Sequence, residues 1–274
     1  MSVAQSLSKL KDALPASDRM PIVFLGHGNP MNAIEDNAYT QSWTALGQTL
    51  PRPKAILVIS AHWMTRGSTL VDISAVPETI HDFYGFPQDL FDVQYAATGD
   101  PKLARDVATL LASHHAEGDE TWGLDHGAWT VLRYLYPEAD VPVFQLSIDV
   151  TKPLAWHLEI GAQLRELRDR GVLILGSGNV VHNLGALNWD GRPHDWALEF
   201  DQFFADRLSD RDLHALTDRS GMGALYRTAH PSSEHYIPSL TVAGAATEKD
   251  QLYFMTDGID LGSLSMRSFV FHGS

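Results

Sequence analysis

The chain has no cysteine among its 274 residues, so neither a disulfide nor a thiolate metal site can exist. Any metal has to be held by histidine, aspartate or glutamate, and the composition fits a cytoplasmic protein. Basic charge is scarce as well: 20 Lys and Arg face 34 Asp and Glu, a formal net charge of −14, and no basic cluster offsets it locally. This argues against nucleic acid and anionic membrane surfaces as partners. No stretch reaches the roughly 18 consecutive apolar residues that a membrane span requires. The N-terminal segment has no continuous apolar run of the targeting kind. Val3, Leu7, Leu10 and Leu14 recur there at helical spacing among Lys, Ser and Asp, which predicts an amphipathic surface helix over residues 1–20.

What the chain does contain is a set of short β-branched runs that stop at histidines. Ala55 to Ile59 has the length and branching of a strand buried on both faces, and it gives way to Ser60, Ala61 and His62. The same event occurs at Ile22 to Leu25 before Gly26-His27-Gly28, and at Val172 to Leu175 before Gly176-Ser-Gly-Asn-Val-Val-His182. Further strands are expected over 69–73, 143–148, 252–255 and 266–271. Helices are expected over 38–50, 102–114, 128–136, 153–170, 196–208, 212–217 and 240–246. This alternation predicts an α/β fold: one three-layer α/β/α domain over residues 1–274 with a mixed central sheet, its antiparallel strands near the C-terminus. Residues 77–97 break the pattern. They are aromatic and aperiodic, and loops of that length are uncommon unless they cover a site.

In open α/β sheets ligands collect outside the carboxyl ends of the strands. Three strand ends carrying His27, His62 and His182 therefore point to one pocket, with His126 and His235 as further candidates and His81 behind them. The chain has 13 histidines; His114, His115, His157, His194 and His214 fall in helices or polar loops and read as solvated. Neutral imidazole is a common metal ligand, and a cysteine-free set of N and O donors suits Fe(II), Zn or Mn. Glu234 is either a carboxylate ligand, a proton acceptor or a solvated loop acid. Asp125 either orients His126 or caps the helix at Ala128. Gly176-Ser-Gly178 is only half of a dinucleotide fingerprint, because Val181 holds the third small position. Ser177 does not sit in Gly-x-Ser-x-Gly, so an esterase elbow is unsupported.

Six ordered motifs resemble the class III extradiol ring-cleavage dioxygenases, specifically the bacterial and plant 4,5-DOPA dioxygenase family. They are Gly26-His-Gly-Asn-Pro-Met-Asn32, Ile59-Ser-Ala-His-Trp63, Ile80-His-Asp-Phe83, Asp125-His-Gly127, Gly178-Asn-Val-Val-His-Asn183 and Glu234-His-Tyr-Ile-Pro238. The resemblance implies a non-haem mononuclear centre that matches His27, His62 and His182 to metal positions, with His235 as a fourth. The division between ligand and base among His182, His235 and Glu234 stays open. His126 matches a histidine beside the substrate, so His126 and His182 are the implied catalytic residues. His81, Phe83 and Trp63 are expected around the substrate. The implied cofactor is Fe(II), with zinc able to replace it in purified protein, and the implied partners are a small DOPA-like catechol and O2. A zinc hydrolase on the same histidines and a non-enzymatic binding protein on the same fold are the competing readings.

Overall fold

The structure is a computed structural model that describes residues 19–273. The helix expected over residues 1–20 lies outside the described residues except for Arg19 and Met20. Eight strands form one sheet in the order β4-β3-β5-β2-β6-β1-β10-β7. Their ranges are β1 Ile22–Gly26, β2 Ala55–Thr65, β3 Thr69–Asp72, β4 Ala116–Asp119, β5 Val143–Asp149, β6 Val172–Gly178, β7 Gln251–Thr256 and β10 Ser268–His272; β8 Ile259–Asp260 and β9 Leu264–Ser265 make a separate small hairpin. The centre, β5-β2-β6-β1, is parallel, while β10 runs antiparallel to both β1 and β7. The expected mixed sheet is thus present, with antiparallel pairs at the C-terminal edge and a further one between β3 and β5.

Alternate residues of the central strands feed two cores. Ile22, Phe24, Leu57, Ile59 and Ile174 face one layer, and Val23, Leu25, Ile56, Val58, Leu173 and Leu175 face the other. Because both faces are covered, these strands are near-continuous apolar runs rather than alternating ones. The helices are α1 Ala38–Thr49, α2 Gln88–Phe91, α3 Pro101–Leu110, α4 His126–Leu135, α5 Leu154–Leu164, α6 Asp195–Ser209, α7 Leu213–Thr217, α8 Arg219–Ala229 and α9 Ile237–Ala245. Trp43 and Leu46 of α1 and Trp129 and Leu132 of α4 cover one face; α3, α5, α6 and α9 cover the other. Every residue of α9 is buried, which explains its unbroken apolar sequence. Among the described residues no helix is long and apolar enough to cross a membrane.

Several elements differ from the sequence reading. Strand β2 does not stop at His62 but runs on to Thr65, and β6 extends through Gly178. Gly176 and Gly178 are therefore inside a strand. A Cβ at Gly176 would meet Val242 and the Pro238 carbonyl, so the glycines admit α9 rather than a phosphate. The edge strand β4, Ala-Glu-Gly-Asp, has no apolar alternation, and the helix α8 is interrupted by the non-helical Gly223 (φ 59°, ψ −130°); the sequence pattern predicts neither. His114 and His157 are buried rather than solvated, at 6% and 1% exposure, because both sit on inner faces where α5 packs; the His114 ring lies against Trp156.

Candidate active site

The carboxyl ends of β1, β2 and β6 meet the start of α4 and the start of α9, and five imidazoles gather there. His27 follows β1 directly, and its backbone N–H donates to the Gly178 carbonyl at the end of β6. Gly28 then turns at φ +65°, and a Cβ there would strike the Met266 sulfur. Asn32 secures the turn by donating to the His27 carbonyl at 3.0 Å. His62 is delivered differently. Strand β2 advances from Ile59 to Met64 while β5 advances only from Leu146 to Ile148. The intervening bulge is a familiar device for re-aiming a side chain at a site. Ser60 anchors it, accepting from the His62 N–H and donating to Asp125 Oδ1 at 2.6 Å.

His126 is the first residue of α4, and Asp125 is its N-cap, accepting from the Ala128 N–H at 3.1 Å. Asp125 is therefore the cap and not the partner of the His126 ring. His235 lies just before α9 in a segment whose carbonyl accepts from the Asn179 N–H at 2.9 Å. His182 follows β6 and is bridged to Leu264 of β9.

The ring centroids of His27, His62 and His235 form a near-equilateral triangle with sides of 5.2, 5.3 and 5.0 Å. Each of the three rings has its Nδ1 side tied outward. Ser177 donates its hydroxyl proton to the Gly127 carbonyl at 2.5 Å, so its oxygen is left to accept from His27 Nδ1–H at 2.9 Å. His62 Nδ1 lies 3.2 Å from Asp82 Oδ2, and His235 Nδ1 lies 3.1 Å from Glu234 Oε1. These acceptors select the tautomer whose Nε2 lone pair points into the site. His27 Nε2 and His62 Nε2 are 3.4 Å apart. Two imidazoles on one tetrahedral zinc with Zn–N near 2.05 Å would be separated by about 3.3 Å. The donor set therefore fits a single divalent ion held by His27, His62 and His235, whose ligand atoms all lie within 4.8 Å of one another.

His182 occupies a different position from the one its strand end suggests. Its ring stacks on His235 at 3.4 Å and 3°, and it groups with Glu234 and His235 rather than with His27 and His62. His126 packs against His62 with centroids 3.9 Å apart. Asp82, which the sequence reading did not single out, sits between these last two. Its Oδ1 accepts from the His126 backbone N–H at 2.8 Å and lies 3.0 Å from His126 Nδ1, while Oδ2 faces His62. Ser177 and Asp82 gave no signal because each partners residues far away in the chain.

Burial dominates the electrostatics. It lowers the pKa of His27 and His235 well below the ordinary value, with the neighbouring imidazoles adding to the effect. Burial, then the charges of His62 and His126, brings His182 down to about 3. Burial and the charge of His62 lower His126. His62 is the exception. Burial would lower it, but contact with Asp82 and the charges of Asp125, Asp82 and Glu234 outweigh that and raise it. Burial would likewise raise Asp82, yet its two histidine partners hold it well below the usual carboxylate range.

Above the histidines opens a cavity of about 450 Å³. Its floor is the imidazole cluster with Asp82, and its walls include Phe83, Phe86, Leu187, Leu261 and Leu264. Phe83 takes the place expected of it. His81 and Trp63 do not line this cavity. His81 lies behind Phe83, its Nε2 2.9 Å from the Val93 carbonyl and its ring against Trp129. Trp63 follows His62 on a pleated strand and so faces away, stacked on Trp122 at 5.5 Å and 3°. A second hollow of about 510 Å³ beside Glu78 and Arg105 contains none of the clustered histidines.

Comparison with known proteins bears on this geometry. Residues 21–265 match the family described as the catalytic LigB subunit of aromatic ring-opening dioxygenase. A 4,5-DOPA dioxygenase extradiol of Escherichia coli (strain K12) is 49% identical over 268 residues, covering 94% of this chain and 97% of that protein. The protein of the same name from Beta vulgaris is 36% identical over 256 residues, covering 90% and 95%. Among solved structures, an uncharacterized protein from Escherichia coli K12 superposes with a TM-score of 0.81 at 43% identity, covering 93% of this chain and all of that one.

Proposed function

Because the chain belongs to the family of catalytic LigB subunits of aromatic ring-opening dioxygenases, and is thus a ring-cleaving dioxygenase, we propose that it opens a catechol beside its diol on one Fe(II) ion held by His27, His62 and His235. The observation that carries this reading is the convergence of three Nε2 lone pairs whose Nδ1 sides are each tied to an acceptor. Fe(II), when bound there, supplies a template for the two catechol oxygens and O2 and a path for electron density from the ring to oxygen. Both atoms of O2 end in the product, so no external reductant is required.

The protein groups provide the proton chemistry. Burial brings His182 down to about 3, so its ring is neutral but weakly basic, and it could take a proton only from a hydroxyl that a bound divalent ion had made more acidic. It is placed to take the proton of a catechol hydroxyl. His126 is held by Asp82 and faces the same cavity, where it can donate a hydrogen bond to substrate oxygen. Phe83 and Phe86 form an apolar wall that would exclude water from the ring. The donor set would also accept zinc, which binds N and O ligands more tightly than Fe(II), so zinc in purified protein would block rather than support turnover.

The test is anaerobic reconstitution with Fe(II), followed by air and a panel of catechols; the relatives' names make DOPA the first to try. A coloured ring-opened semialdehyde is expected, with little from the zinc-loaded protein. Failure of the whole panel, or equal turnover with zinc, would refute the reading. His62→Ala should lose tight metal binding by elemental analysis, and normal stoichiometry in that variant would remove His62 from the ligand set.

A further inference from the structure

The segment between β1 and α1 carries three asparagines, Asn29, Asn32 and Asn37, and they are not used alike. Asn32 donates to the His27 carbonyl at 3.0 Å and accepts from the Asn37 side-chain amide at 2.8 Å. Asn37 in turn accepts from the Tyr39 and Thr40 N–H groups and so caps α1. Both of these amides are engaged at each end. Asn29 differs. Its Oδ1 accepts from the Met31 N–H at 3.0 Å, capping the short 3-10 helix Pro30–Ala33. A backbone N–H can only donate, so this bond fixes which end of the Asn29 amide is oxygen. The Nδ2 end is then the free one, and among the described residues it has no hydrogen-bond partner.

Asn29 lines the cavity above the histidines, between Gly28 and Pro30, and is half-buried there. Its backbone is pinned. The Asn32 N–H donates to the Asn29 carbonyl at 2.9 Å, and the Tyr134 hydroxyl lies 2.9 Å from the Asn32 carbonyl. A donor presented on a fixed backbone loses little freedom when a ligand engages it. The cavity has few such groups. Apart from the imidazoles and Asp82, its lining side chains are apolar except for Asn29 and Tyr84, and Tyr84 is 91% exposed. Among the described residues no lysine or arginine lines it.

The imidazoles are already committed, three of them to the metal and His126 and His182 to the oxygens of the ring. What is left for a ring substituent is one neutral group offering two N–H protons. Its natural partner is an oxygen that only accepts, and a carboxylate is the strongest acceptor of this kind, whereas an ammonium group has no lone pair to offer. We propose that Asn29 is a specificity-determining residue whose amide N–H groups bind a carboxylate oxygen on the side chain of the catechol. The proposal rests on the ring-opening reading above. It makes the acid group of a substrate such as DOPA, rather than its ammonium group, the one that the cavity wall reads.

The experiment uses the full chain reconstituted with Fe(II), the substrates catechol, 4-propylcatechol, 3-(3,4-dihydroxyphenyl)propanoate, DOPA and dopamine, and two variants. Asn29→Ser and Asn29→Asp both keep a side-chain oxygen suited to the cap, so the local fold is retained; circular dichroism and metal analysis check this. Serine withdraws the N–H groups without adding charge, and aspartate replaces them with a repelling oxygen. The ratio of kcat/KM for the propanoate to that for 4-propylcatechol should fall about tenfold in Asn29→Ser, as expected for a lost hydrogen bond to a charged group, and further in Asn29→Asp. In Asn29→Ser, DOPA should fall with the propanoate, and dopamine should stay with 4-propylcatechol. Titration calorimetry of the zinc-loaded proteins should show the same change in the ratio of Kd values without turnover. A ratio unchanged in Asn29→Ser overturns the proposal, whether because nothing falls or because catechol itself falls as far, which would put the amide on the ring oxygens. A fall confined to Asn29→Asp overturns it as well, since charge alone would then explain the loss. If no catechol is opened, the ring-opening reading fails, and the calorimetric ratio still decides the role of Asn29.

Discussion

Asp82 touches two imidazoles at once: Oδ2 lies 3.2 Å from His62 Nδ1, and Oδ1 lies 3.0 Å from His126 Nδ1 while accepting from the His126 N–H. One carboxylate therefore fixes the tautomer of His62 and the place of His126. Asparagine at this position would keep one acceptor oxygen but present N–H groups to the other ring, where two donors would then meet. Asp82→Asn should weaken metal binding about 10- to 100-fold, the usual effect of removing such a supporting carboxylate. It should also lower kcat more than it changes KM for catechol, since His126 loses its hold as well. Metal titration and steady-state kinetics check both. Metal affinity equal to that of the unaltered protein would mean that Asp82 supports only His126. Asp82 could not be read as a partner from the sequence because 44 residues separate it from His126, and no short-range period connects the two.

At the scale of elements, the site depends on how closely β6 lies to the chain entering α9. A Cβ on Gly178 would fall 2.3 Å from the His235 carbonyl oxygen. Alanine there must push the His235 backbone away, at a cost of about 1–3 kcal/mol for overpacking. Gly178→Ala should then lower the melting temperature and reduce metal occupancy together, because the same backbone carries the third imidazole. A variant with full metal content and an unchanged melting temperature would show that the strand end yields freely. The central strands were legible because burial on both faces leaves apolar runs, and their histidine termini pointed to the correct end of the sheet. Two things were hidden. The bulge in β2 has no signature in Ser60-Ala-His-Trp63, so the strand was expected to stop where it only swells. The choice of His235 over His182 for the triangle with His27 and His62 comes from the path of residues 230–236, which have no periodicity to read.

For the whole molecule, two cores flank one sheet, and buried ion pairs tie its distant parts together. Arg168 grips Asp250 through two hydrogen bonds of 2.7 and 2.5 Å, and Arg267 pairs with Asp201. Breaking either pair would leave a buried charge without its partner, which is strongly destabilising. Acid sensitivity arises from buried imidazoles, both those clustered at the site and two away from that cluster. His157 lies on α5 with 1% exposure, and burial brings its pKa down to about 4. His230 is buried too and is brought down to about 3, by burial and then by the charge of His182. In the unfolded chain both would titrate near 6.5. Between that value and the folded pKa the unfolded state binds more protons, so stability is full above about pH 6.5 and declines as the pH falls toward 4. For His157 alone the loss would approach about 3 kcal/mol at the lower end. Urea unfolding of the metal-free protein between pH 8 and pH 5 should therefore show a falling midpoint. In His157→Gln, which has no proton to gain, the slope should be visibly shallower even if the variant is less stable at pH 8. A parallel pH dependence in that variant would assign the acid loss to the other buried imidazoles, His230 and the clustered His27, His126, His182 and His235.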